Sequence, residues 1–398
     1  GDDNVAVGYD ALGVNSTGEK NTAVGANSMQ LHTTGNNNTA VGESSMDSNT
    51  TGASNVAIGQ EAMNANTTGA ENTVVGRNAL AANTTTSSNT AVGANALAAN
   101  TASENTAIGF NAAALNTTGV RNLAIGKGAY DASDTENDNI AIGFNAMTTN
   151  TAGGEKNVAV GNYALDALTA NTTGADGVAI GYGALKSNLT SNSSIGIGWE
   201  ALGLLTNGNN NVAIGYASNR ANLTGTDNVS VGGNSLQLNT ASNNTAIGKS
   251  ALTANTTGDR NVGTSSMYYN TTASSNTAVG HAALNANTTG DRNVAIGTTS
   301  LDANTTGAKN IAIGVNALGA NTTANHNVAV GHESLSANTT GADNTGLGKG
   351  ALGANTTAAD NTAVGSLALE VNTTGTKNTA VGKGALSTVV TSANNTAI

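Results

Sequence analysis

Cysteine and proline are both absent from the 398 residues, aromatic side chains make up only 3%, and charged ones 10%. Without cysteine there is no disulfide framework and no thiolate metal site, and nothing marks the redox compartment. An average soluble domain is about 25% charged, so this composition opposes an ordinary globule and suits a fibre. The charge that remains is acidic, with a net value of −11. Nucleic acid and anionic membrane surfaces both call for a basic face, which argues against either as partner. No apolar run approaches the roughly 18 residues of a membrane span, and no signal-peptide pattern is present.

What the chain has instead is a repeat, N-T-A-V-G-x-x-A-L-x-A-N-T-T-G-x-x, returning every seventeen residues. The glycine closing the first apolar stretch falls at Gly8, Gly25, Gly42, Gly59, Gly76 and Gly93, and the same step runs from Gly280 through Gly297 and Gly314 to Gly382. The opening asparagine runs from Asn4, Asn21 and Asn38 to Asn361, Asn378 and Asn395, with Gly177 and Ser194 in two of its slots. A fixed short period overrides the two or three domains that length suggests, because each unit contacts only its neighbours. The expectation is one continuous array over residues 1–398, of about 24 units. Neither end carries the atypical capping repeat of a solenoid, so the array is expected to be a fragment of a longer fibre.

Alternating β-branched residues, as in Val56-Ala57-Ile58, predict a short strand in each unit. A glycine then ends the strand, where the backbone either bends through positive φ or lies close to another chain. A second apolar pair follows, such as Ala79-Leu80 or Ser28-Met29, and is expected to form a second strand. Asn-Thr-Thr-Gly closes the unit with a turn, since Asn and Thr bond the local backbone and Gly supplies a permissive conformation. The fold class predicted is all-β, a parallel β-solenoid or β-roll with seventeen residues per rung. Seventeen residues leave no room for two helices and a turn, and a disordered tract would not keep Val/Ile and Leu/Met in register.

Burying one Val/Ile and one Leu per unit falls short of the entropy lost in ordering seventeen residues. Hydrogen bonds between rungs and stacked asparagines must contribute. The shortfall predicts self-association as a parallel homotrimer, with small Ala and Gly positions near its axis.

Repeats such as Asn276-Thr277-Ala278-Val279-Gly280, then Ala283-Leu284 and Asn287-Thr288-Thr289-Gly290, resemble the arrays of phage tail-fibre-like and bacterial surface proteins. Those proteins often end in a self-cleaving chaperone domain. The repeats are more distantly similar to the S-V-A-I-G units of trimeric autotransporter adhesin heads. The resemblance covers essentially the whole chain and implies an extracellular, cell-surface or virion-borne trimeric fibre.

Irregular units fall at about 144–200 and 249–280. The glycine step lengthens to 18 at Gly143–Gly161 and to 20 at Gly161–Gly181, predicting a bulge around Asp166-Ala167-Leu168-Thr169. The unit at Asn261-Val262-Gly263 loses two residues. In the outward slot after the glycine stand Tyr182, Trp199 and Tyr216, with Tyr163 one position over in the unit before. Adjacent strands lie about 4.8 Å apart, so these rings are candidates for a glycan-stacking strip, or else simply cover an irregular stretch.

The Asn-Thr-Thr turn also fits an N-glycosylation acceptor. Candidate sites are Asn15, Asn49, Asn66, Asn83, Asn116, Asn171, Asn188, Asn222, Asn255, Asn270, Asn287, Asn304, Asn321, Asn338, Asn355 and Asn372, expected to line one edge. The alternative is turn geometry alone.

No catalytic constellation is found. His32, His281, His326 and His332 fall in turns or outward slots, without a carboxylate cluster or nucleophile at suggestive spacing. No enzyme activity, cofactor or metal is expected, and the turn lacks the acidic nonapeptide of calcium-binding β-rolls. Pairs such as Glu19-Lys20 and Asp291-Arg292 fit solvated charge. The function classes left open are a structural shaft or filament, a carbohydrate-binding adhesin or receptor-binding fibre, and a threonine-faced ice-binding solenoid. The last lacks a strict Thr-x-Thr strand.

Overall fold

The structure, a computed structural model, describes residues 1–149, 154–167 and 176–398. It divides into two compact units, Gly1–Asn207 and Gly208–Ile398. Each is a parallel β-solenoid with twelve short strands and no helix among the described residues. One strand belongs to each coil, and it pairs in register with the same strand of the neighbouring coil. In the first unit Thr22, Ala23 and Val24 face Thr39, Ala40 and Val41. In the second, Ile311, Ala312 and Ile313 face Val328, Ala329 and Val330.

Alternation along the strand sends its middle residue to one face and its two flanking residues to the other. The middle residue is the one inside. Ala57, Ala62 and Met63 of one coil are fully buried, as are Ala312, Ala317 and Leu318 of another. The β-branched flanks point outward, with Ile311 and Ile313 each 37% exposed. The expectation that Val/Ile fills the interior is therefore corrected. So short a coil encloses a thin interior, in which the strand approaches the Leu/Met side closely enough that alanine fits beneath it. Val74 is the larger exception and is also fully buried.

The second apolar pair is not a strand. Its amides alternate between their own coil and the next: Ser45 N–H bonds Gly42 O at 3.3 Å, whereas Met46 N–H bonds Ala62 O at 3.0 Å. This alternation curls the backbone, and the Leu/Met residue adopts the left-handed region, with φ of 48° at Met46 and 51° at Leu318. Such a conformation costs a non-glycine residue about 1–2 kcal/mol, which burial of the same side chain offsets. The corner glycine has a different reason. Gly314 has φ +134°, and a Cβ there would lie 2.5 Å from the carbonyl oxygen of Gly331.

Two columns of asparagine run inside the coils. The Oδ1 of each opening asparagine accepts the backbone N–H of its successor, as from Asn38 to Asn21 at 2.9 Å and from Asn327 to Asn310 at 2.9 Å. Its Nδ2 donates to the turn that closes its own coil, for Asn38 to Gly52 O at 2.8 Å. The second column is the Asn of Asn-Thr-Thr-Gly, where Nδ2 of Asn304 donates to Oδ1 of Asn287 at 2.9 Å and to Gly307 O at 2.9 Å.

The irregular coils keep the first column. The same N–H to Oδ1 bond closes across 15 residues from Asn276 to Asn261, 16 from Asn105 to Asn89, and 18 from Asn157 to Asn139. Across the longest coil, Gly177 N–H reaches Asn157 Oδ1 at 2.9 Å. Of the expected bulge, Asp166 and Ala167 stay in register, since Thr149 N–H bonds Asp166 O at 3.2 Å and Ala167 N–H bonds Lys186 O at 3.1 Å. Leu168 and Thr169 lie outside the described residues.

Replacing Asn304 with Ala removes a donor from Asn287 Oδ1 and the acceptor for Asn321 Nδ2. Chemical unfolding of the full chain is expected to show a loss of about 1–3 kcal/mol. Gly314→Ala is expected to lose about 2 kcal/mol or more, from left-handed strain together with the clash.

Candidate functional site

Three features of the surface are candidates. The first is the outward strand face: two columns of Thr, Val, Ile and Leu following the in-register strands of each unit. Ile247 is 45% exposed on it, Val279 40% and Leu347 44%. Contiguous exposed apolar surface is a feature of interaction sites, which makes this face a candidate. Assigning these side chains to the interior is what hid it from sequence reading.

The second feature is the aromatic column in the first unit, longer than the sequence suggested. Phe144 and Tyr163 pack edge to face, with centroids 5.4 Å apart and planes at 81°, and Tyr163 meets Tyr182 in the same way at 5.7 Å and 76°. Lys127 Nζ stands 6.0 Å from the Phe110 ring and 5.8 Å from that of Phe144, and Lys186 Nζ lies 5.3 Å from Tyr163. Phe110, Lys127 and Phe144 escaped sequence reading although they occupy the same slot, directly after Gly109, Gly126 and Gly143. Trp199 holds that slot one coil beyond Tyr182 and is 39% exposed, against 47% for Tyr182. Tyr216 belongs to the second unit and is 56% exposed. Edge-to-face packing presents ring edges and faces in turn, with ammonium groups between them, rather than a flat platform.

The third candidate, a glycosylated edge, is corrected by the position of the asparagines. Asn49, Asn66, Asn83, Asn116, Asn222, Asn255, Asn270, Asn287, Asn304, Asn321, Asn338, Asn355 and Asn372 are fully buried, and Asn188 nearly so. Their Nδ2 atoms, which would carry the sugar, donate inside the coil, as Asn66 does to Asn49 Oδ1 at 2.8 Å. A glycan there would break the column. Asn15 is half-buried, and its Nδ2 donates to Gly18 O at 3.1 Å; Asn171 lies outside the described residues. The first threonine of the turn is also engaged, with Thr50 Oγ1 donating to Thr67 O at 3.0 Å and Thr288 Oγ1 to Thr305 O at 3.0 Å. Those hydroxyls are therefore not free to match an ice lattice.

Among the described residues no three His, Asp or Glu side chains group as metal ligands, and no helix is long and apolar enough to cross a membrane. His326 Nδ1 lies 3.5 Å from Asp343, and His332 Nδ1 lies 3.4 Å from Glu333, all exposed. Of the turn charges, Asp291 accepts from Ser274 N–H at 2.7 Å, and Arg121 forms a two-pronged bond to Asp138 of the next coil at 2.6 and 2.9 Å. Hydrogen bonding to that guanidinium holds the Asp138 carboxyl below its usual value.

His32, one of the histidines that the repeat puts in turns or outward slots, is fully buried. It takes an asparagine's place in the second column. Its Nε2 donates to Gly35 O at 2.8 Å, and its Nδ1 accepts from Asn49 Nδ2 at 3.0 Å. Those partners fix one neutral tautomer. Burial pushes its pKa below the usual 6.5.

No protein-family model matches this chain, and no curated protein matches it.

Because the unfolded chain binds a proton at His32 more readily than the folded one, this residue's contribution is whole above pH 6.5 and declines as pH falls toward the lowered folded value. Denaturation midpoints of the full chain measured from about pH 7 to about pH 5 are expected to fall less steeply for His32→Asn than for the wild type.

Proposed function

We propose that this chain is a structural module of an extracellular, cell-surface or virion-borne fibre, and that its strand faces join copies of itself along their length as a parallel homotrimer. The observation that carries the reading is the uncovered face of outward Val, Ile and Thr. Its side chains recur at the spacing of hydrogen-bonded strands, about 4.8 Å. A surface with the same spacing meets it at every coil, and a parallel second copy has that spacing by construction. The resemblance of Asn276-Thr277-Ala278-Val279-Gly280 and its fellows to tail-fibre-like and adhesin-head repeats supports the same reading. No catalytic role is proposed.

A second reading, adhesion to glycans, draws on the column from Phe110 to Tyr182, whose rings and ammonium groups suit sugar hydroxyls and C–H faces. Under it, Tyr182→Ala and Trp199→Ala abolish binding to a glycan array without altering assembly.

For the principal reading, native mass measurement and sedimentation of the full chain are expected to give a trimer. The pair Ile311→Lys and Ile313→Lys places charge on the face and is expected to weaken association more than about a hundredfold. Both residues point away from the coil interior, so the variant's far-UV circular dichroism should stay near that of the wild type, while its melting temperature falls and loses its dependence on protein concentration. A stable wild-type monomer, or a variant that assembles equally well, defeats the proposal.

A further inference from the structure

The fifteen-residue coil in the second unit lacks the corner that every neighbouring coil has. Elsewhere a strand ends in glycine followed by an outward residue, as in Gly248-Lys249 before it and Gly280-His281 after it. Here Thr264 passes straight to Ser265, whose N–H takes over the glycine's bond, to Ile247 O at 2.8 Å. Ser265 adopts φ 49° to make this turn. Ala282 N–H then bonds Ser265 O at 3.3 Å, and Met267 N–H bonds Ala283 O at 3.1 Å, so the stack continues unbroken behind the missing corner.

In front of it a notch of about 430 Å³ opens. Lys249 and His281 flank the notch, two coil spacings apart, or roughly 10 Å. Its floor and walls carry Ser250, Ser265, Tyr268 and Asn285. Tyr268 is held edge to face against Tyr269, with centroids 4.7 Å apart and planes at 75°. No carboxylate lines the notch, although the chain's net charge is −11. Lys249 makes no ion pair among the described residues.

We propose that this notch binds one acidic sugar unit, a pyranose bearing a carboxylate or a sulfate. An ammonium group without a carboxylate partner selects an anion. Serine hydroxyls and an amide meet sugar hydroxyls, and a fixed tyrosine ring meets the C–H face. The volume falls within the range of small-ligand sites. The site is made by one chain and rests neither on self-association nor on the aromatic column of the first unit.

The test uses the full chain, titrated by saturation-transfer NMR and calorimetry with methyl α-N-acetylneuraminide, galactose 6-sulfate and, as the neutral control, methyl galactoside. At least one acidic probe is expected to bind and the neutral one to fail; which acid binds separates carboxylate from sulfate. Lys249→Gln is expected to weaken binding about tenfold. Inserting Gly-Ala between Thr264 and Ser265 restores a seventeen-residue coil with its corner and is expected to abolish binding while leaving the melting temperature unchanged or higher. Should the insertion unfold the unit, Tyr268→Ser, which alters only the wall, decides the matter and is expected to weaken binding. The proposal is overturned if neither acidic probe binds at about 10 mM, if the neutral sugar binds as well as the acidic ones, or if binding survives filling of the notch.

Discussion

Hydrogen bonds directed along the stack, from one coil to the next, are the constraint on which everything else in this protein depends. The bond from a backbone N–H to the Oδ1 of the preceding asparagine keeps its length, 2.8 to 3.1 Å, in coils of 15, 16, 17, 18 and 20 residues. Loops of different length are therefore tolerated between fixed anchor points. An interior of alanine with one Leu or Met per coil buries too little apolar surface to order the backbone alone. The buried amides must then be satisfied, since an orphaned donor or acceptor there loses more than a paired one gains.

The fold was largely legible, because a period of seventeen with a strand, a glycine and an asparagine turn leaves few architectures open. What the pattern could not tell was which strand face is inside. Val56-Ala57-Ile58 alternates equally well either way, and hydrophobicity favours burying the larger pair. Only the thinness of the coil, a property of the closed turn rather than of any segment, decides for Ala57. Asparagine misled for a related reason. Asn-Thr-Thr is a turn signal and an acceptor motif by local chemistry, but whether Asn66 Nδ2 meets water or Asn49 Oδ1 is fixed by stacking across seventeen residues. His32 shows the same limit, for nothing around it in the chain announces that it replaces one of those buried amides.

The surface candidates were only partly legible. Tyr163 and Tyr182 were found because they cluster near the long coils, whereas Phe110, Lys127 and Phe144 needed the slot after glycine to be followed farther back through the array. The two missing residues near Val262 could be counted in the sequence, yet their effect could not. Removing a corner from one coil while Ser265 keeps the bond to Ile247 turns a deletion into a recess flanked by its intact neighbours.

The close approach of successive corner glycines bears on how such a chain changes length. A Cβ on Gly42 would fall 2.5 Å from Gly59 O, and one on Gly297 would fall 2.6 Å from Gly314 O, so coils that carry this glycine meet through the same backbone contact, whereas at Gly248 the neighbour is the Ser265 side chain. Any coil with the corner glycine can thus follow any other of its kind. Unequal recombination between repeats that adds or drops whole turns leaves every junction sound, so the length of the array is free to drift in quanta of one coil without selection having to repair a seam.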